Sequence, residues 1–157
     1  MRTLVPYAVT LAALSLAPVP AQATPPQDVT LVTLVSYLPA PSFTWSSTGA
    51  SADGGELEFL SARWGTAGPA PAGELLLEMR LHGARGTIDL HVALLAKATP
   101  TPDLIAFDGP WVVKGATGDY ARLRGGGTVH VIDGRVDRKS DLAHPEIGVF
   151  RGRLHVD

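Results

Sequence analysis

Residues Gly109–Val131, GPWVVKGATGDYARLRGGGTVHV, decide the fold. Trp111-Val-Val-Lys114 is a short run of strand-forming residues, and Thr128-Val-His-Val-Ile132 is another. Glycines at 115, 118 and 125–127 separate them. They let the chain turn sharply without Cβ clashes. Tyr120 and Leu123 sit inside that corner. The stretch therefore reads strand, glycine-rich corner, strand.

The same period of two recurs on both sides. In Glu74–His82, Leu75, Leu77, Met79 and Leu81 share one face, while Glu74, Glu78, Arg80 and His82 share the other, with Leu76 the exception. Gly83-Ala-Arg-Gly86 turns the chain, and Ile88, Leu90 and Val92 then alternate with Thr87, Asp89 and His91. A helix would need apolar spacings of three and four. Val29–Tyr37, Phe43–Ser47, Glu56–Leu60 and Val149–Val156 complete a set of about eight strands, punctuated by Gly and Pro. Each strand has an apolar face and almost no helix is available to cover it, so the sheet must close on itself. The expectation is an all-β fold, a sandwich or a barrel, with a single antiparallel β-barrel favoured because closure also removes exposed edges.

The ends set the compartment. Arg2, the apolar run Leu4–Leu16 broken by Pro18 and Pro20, and Ala21-Gln-Ala23 have the pattern of a cleavable secretory signal over residues 1–23. The run falls short of the roughly 20 apolar residues of a membrane span. No cysteine follows it to carry a lipid, and no twin arginine precedes it. The mature domain, 24–157, is expected outside the cytoplasm, secreted or in the envelope or periplasm, with no membrane attachment after cleavage. Thr24–Gln27 reads as a short mobile leader. The chain has no cysteine, so packing alone must hold it. The formal net charge of −2 and scattered arginines give no basic face for nucleic acid. Arginine outnumbers lysine, and Ala, Gly and Pro are frequent, as in GC-rich bacterial genomes.

The segment Gly115-Ala-Thr-Gly-Asp-Tyr-Ala-Arg-Leu-Arg-Gly125 resembles the Gly-x-Thr-Gly-x-(aromatic)-x-x-(apolar)-x-Gly signature of allene oxide cyclase-like and dirigent-like barrels. Exported bacterial members carry a tryptophan strand before the motif, as Trp111 does here. The likeness covers about 25 residues, with a fainter echo in Gly86-Thr-Ile-Asp-Leu90. It implies a barrel of about eight strands with an apolar interior. Relatives that are enzymes guide cyclisation or coupling of a reactive small molecule without metal or cofactor. The motif carries none of their catalytic groups, so the catalytic residues stay unknown and the resemblance alone leaves open whether the chain is an enzyme.

Four patterns invite chemistry. His82, His91, His130, His144 and His155 raise a metal site, with Asp89 and His91 at i and i+2. The strand pattern puts these residues opposite Leu81, Ile88, Leu90 and Val131, hence on the outside, as cross-strand pairs rather than ligands. Ser46, Ser47, Ser51, Ser61 and Ser140 lack the strand–turn–helix setting of a hydrolase nucleophile. Gly125–Gly127 leads into a strand instead of a helix N-terminus, so it reads as a hairpin or bulge and not a phosphate loop, and so does Gly115–Gly118. The barrel interior remains. Trp45, Phe59, Met79, Trp111 and Phe150 are its ligand-contacting candidates, joined at a mouth by Arg63 if it continues the Leu57–Phe59 face. An eight-stranded barrel is either filled by side chains or holds one small ligand. The expected activity is binding of a small apolar or amphipathic molecule, without cofactor or metal. The alternative is a cofactor-independent cyclase or isomerase, in which the cavity folds a flexible substrate. A homo-oligomer through the barrel walls is a further expectation.

Overall fold

Strand follows strand through the computed structural model, which describes residues 23–37, 39–49, 52–65, 73–101, 104–134 and 145–157. The apolar leader at 4–16, Ser51, Ser140 and His144 lie outside the described residues. The strands are β1 (Gln27–Ser36), β2 (Ser42–Gly49), β3 (Gly54–Trp64), β4 (Glu74–Gly83), β5 (Gly86–Ala98), β6 (Leu104–Ala116), β7 (Leu123–Gly134) and β8 (Glu146–Val156). They pair antiparallel in chain order, and β8 returns to β1 to close a barrel. The only helix among the described residues is one 3₁₀ turn, Gly118–Tyr120. No described helix is long and apolar enough to cross a membrane.

Period-two alternation decides what faces the axis. Leu31, Leu81, Leu90, Val92, Trp111 and Phe150 are essentially fully buried. Trp111 and Phe150 meet edge to face, their centroids 6.1 Å apart, and the indole Nε1 donates to the Thr128 carbonyl at 3.1 Å. Inward glycines make room for this pair. A Cβ on Gly152 would lie 2.8 Å from Trp111 Cζ2, and one on Gly148 would lie 3.0 Å from Phe150 Cε2. Gly125–Gly127 belongs to this design. It is neither a hairpin nor a bulge but a regular part of β7, with Gly125 at φ +140°. Small residues here let β7 pass close to the backbone of β6 and β8.

One end of the barrel is sealed. Tyr120 and Leu123 are both buried there, as the corner motif predicts. The Tyr120 hydroxyl donates to Asp53 Oδ2 at 2.7 Å, and the Asp53 carboxylate also accepts from the backbone N–H groups of Gly54, Ala84 and Arg85. One side chain thus ties the β2–β3 turn, the β4–β5 turn and the 3₁₀ turn together. Gly118, at φ +61°, lies against the Arg85 carbonyl, where any Cβ would collide. Thr24 is fastened to the same end rather than mobile. Its N–H donates to the Val156 carbonyl at 2.9 Å, and its hydroxyl accepts from the Val156 N–H at 2.8 Å.

The outer wall carries cross-strand charge pairs. Arg80 grips Asp89 with two bonds of 2.7 and 2.9 Å. Glu78 meets His91 at 2.7 Å, Glu58 meets His82 at 2.9 Å, and Asp108 holds both Lys97 and His130. The histidines of β4, β5 and β7 therefore look outward, each hydrogen-bonded to a single carboxylate. Arg80 holds the Asp89 carboxyl below its usual range, and Lys97 followed by His130 does the same for Asp108. Such exposed pairs each contribute little to stability.

Candidate functional site: the open mouth

The opposite end is built differently. β1, β3, β5 and β7 leave the barrel there and β2, β4, β6 and β8 enter. A cavity of about 360 Å³ opens between Tyr37, Phe59, Ala62, Trp64, Leu75, Leu77, Leu94, Phe107, Val131, Asp133 and Glu146. That volume lies in the lower part of the range for small-molecule pockets, about 300–1,000 Å³.

A β-bulge shapes one wall. Phe59 stands opposite Met79, but Ser61 stands opposite Glu78, so Leu60 is an extra residue and the alternation of β3 reverses beyond it. Ala62 and Trp64 then face inward, opposite Leu77 and Leu75, while Arg63 lies opposite Leu76 on the outer face and is exposed. Arg63 therefore does not continue the Leu57–Phe59 face, and no cation from it reaches the mouth. Trp64 takes the inward place. It is 47% exposed and tilts against Phe107 with centroids 6.4 Å apart.

The neighbouring wall is a seam. β2 and β3 share only the pairs Thr44–Glu56, Trp45–Gly55 and Ser46–Gly54. Pro39 and Pro41 flank the start of β2, and proline has no N–H to extend a ladder. Side chains cover the seam instead. Tyr37, Phe43 and Phe59 form an edge-to-face series, with centroid separations of 5.6 and 6.0 Å.

Two carboxylates adjoin this aromatic wall beyond β1. Asp133 continues the inward series Val129, Val131 on β7, and Glu146 continues the inward series Phe150, Gly148 on β8. The register Ile132–Ile147 brings them to adjacent positions. Burial, and then the charge of Asp133, push the Glu146 carboxyl up to about 7. The Tyr37 phenol is raised too, by burial first and then by Glu146 and Asp133. The site can hold an apolar body against aromatic rings, and it can hold or release one proton near neutrality at Glu146.

Of the interior candidates read from the sequence, only Phe59 lines this cavity. Met79, Trp111 and Phe150 are buried in the packed core, and Trp45 is buried toward the sealed end, its Nε1 donating to the His82 carbonyl at 3.0 Å. Tyr37, Trp64, Phe107, Asp133 and Glu146 are additions. The signal for the two acids was available: Val129, Val131, Asp133 and Glu146, Gly148, Phe150 keep one parity each. A carboxylate at the end of an apolar series reads as the strand's exit into solvent, which hid it.

Two further depressions lie elsewhere on the described residues. One of about 160 Å³ lies at the sealed end by Arg85, Asp119 and Tyr120. A wider one of about 500 Å³ runs over the outer wall between Leu95, Asp108, Pro110, His130 and Arg151. Its floor is sheet and its sides are the ion-paired side chains already described, so it is a surface groove. No family model, no curated protein and no solved structure matches this chain.

Proposed function

We propose that this is an exported β-barrel that binds a small apolar or amphipathic molecule in its mouth, without transforming it. The observation that carries this reading is the cavity of about 360 Å³ set above a filled core and walled by Phe59, Trp64, Leu75, Phe107 and Val131. An outer wall of charge pairs around an apolar interior suits a barrel surrounded by water, the reverse of a membrane barrel's apolar outer band. Export rests on the sequence pattern of residues 1–23.

Trp64 supplies the test. Trp45 and Trp111 are buried and Trp64 is half exposed at the mouth. Titration with the neutral probe N-phenyl-1-naphthylamine should shift tryptophan emission to shorter wavelength. Trp64→Phe should remove that shift while calorimetry still records binding. If no hydrophobic probe is taken up, this reading is wrong.

The geometry of Glu146 favours a second reading, a cofactor-independent cyclase or isomerase like those of the barrels that the Gly115–Gly125 motif resembles. A carboxyl raised to about 7 beside an apolar cavity can give or take a proton at neutral pH. Under this reading, turnover of a bound substrate disappears in Glu146→Gln while its binding survives. Turnover unaffected by that substitution would remove Glu146 from the chemistry.

A further inference from the structure

We infer that the free edge of β3 at the mouth takes an extended acidic peptide of another protein. The peptide adds a strand through the backbone of Ala62 and Trp64 and sets a carboxylate opposite Arg63. This goes beyond the small-molecule reading and does not depend on it.

The ladder pattern leaves that edge open. β2 pairs with β3 only as far as Glu56, while β4 accompanies β3 to Trp64. On an extended strand the N–H and C=O groups of successive residues point to alternate sides. Gly65 donates its N–H to the Glu74 carbonyl, on β4, at 2.6 Å. Arg63 shares that phase, so its backbone faces β4. The backbone groups of Ala62 and Trp64 therefore face the other way, toward the side that β2 has left, and no described residue bonds to them there. Leu60–Trp64 is exposed at every position, a longer exposed run than in any other strand. A row of free donors and acceptors at strand spacing is a template for another extended chain.

Charge decides which kind of chain fits. Arg63 lies between the two residues on the outer face. Arg80, Arg85, Arg124 and Arg153 each hold a carboxylate, and Arg63 holds none among the described residues. A second copy is the wrong occupant. Antiparallel pairing of two such edges through all of these groups would match Ala62 with Trp64 of the other chain. That register sets Arg63 directly against its own copy, and like charges so placed repel. A strand with Glu or Asp at that place gains an ion pair instead. Its residues on either side of the acid then lie beside Ala62 and Trp64, which line the apolar mouth, so they are apolar too.

The probe is the peptide acetyl-Thr-Val-Glu-Val-Thr-amide, titrated into the protein and followed by amide hydrogen exchange in nuclear magnetic resonance. Without peptide, the Ala62 and Trp64 amides should exchange fast and the Arg63 amide slowly. Peptide should slow the first two. Methylating both valine nitrogens removes the donors that face β3 and should weaken binding about tenfold. Replacing the peptide's Glu by Lys should weaken it by up to about fivefold, since the ion pair is exposed. Arg63→Glu should reverse that preference and Arg63→Lys should keep it. Ala62 and Trp64 amides already protected without peptide would mean that the chain covers its own edge, which overturns the inference. Protection that rises with protein concentration would put a second copy there and overturns it as well. A peptide that binds without slowing these amides, or binds equally well when methylated, sits elsewhere and also overturns it, as does no binding at all. None of these results bears on uptake of N-phenyl-1-naphthylamine, so this inference and the small-molecule reading fail separately.

Discussion

Among the described residues, Glu146 has the environment that departs furthest from what its type prefers. Its carboxyl is raised from 4.5 to about 7, by burial first and by Asp133 second. Between those two values the folded chain keeps a proton that the unfolded chain has lost, so stability must fall as pH rises through that window and level off above it. Glu146→Gln cannot ionise and lacks the decline. Melting temperatures should show the variant more stable than the parent at about pH 8 and nearly equal to it at about pH 4. A parallel pair of curves would mean that Glu146 is not buried as described. Asp53 has the opposite sign. The Tyr120 hydroxyl, and then the backbone N–H groups of Gly54, Arg85 and Ala84, hold its carboxyl below 3.8, so its stabilisation is present above that value and fades as pH falls below it. Tyr120→Phe should cost about 1–2 kcal/mol in neutral denaturant unfolding, and the deficit should shrink in acid. An equal deficit at both pH values would assign the loss to packing. Tyr120 itself is pushed to about 12, by burial and then by Asp53, so it stays neutral throughout.

At the scale of strands, the alternation in Glu74–His82 and Thr87–Leu95 carries through to β4 and β5 because nothing interrupts the period of two. Where one residue is inserted, the reading fails. Leu60 in β3 is apolar like Phe59 before it, and no glycine or proline marks the bulge, so the inversion that brings Trp64 in and puts Arg63 out was not legible. Gly125–Gly127 misleads in the other direction. Its composition signals a turn, yet its glycines answer to the close approach of β6 and β8 backbone, a demand set by strands elsewhere in the sequence. That cause makes a prediction. Gly152→Ala would press its methyl against Trp111 and the Gly126 carbonyl and should cost about 1–3 kcal/mol. Gly115→Ala meets nothing nearer than Asp89 Oδ2 at 3.9 Å and should be close to neutral. Urea unfolding of the two variants checks this, and similar losses would mean that the inward glycines are not there to seat the tryptophan.

Across the whole molecule, an all-β sheet folded onto itself follows from many apolar faces with no helix to cover them, and the pattern favours the closed barrel over a sandwich, which the structure then shows. The division of its interior into a filled half and an open half does not. Which half fills depends on whether Trp111 and Phe150 lie over glycines, and on where β2 ends relative to β3, both of which are relations between strands distant in sequence. The central claim is that the ligand enters at the mouth and stops above the core. Methyl-resolved nuclear magnetic resonance during titration with N-phenyl-1-naphthylamine tests it most directly. Methyl signals of Leu75, Leu77, Leu94 and Val131, which line the mouth, should move, and those of Leu81, Leu123 and Leu154 should stay in place. Shifts centred on the second set, or no shifts at saturating probe, would contradict the account.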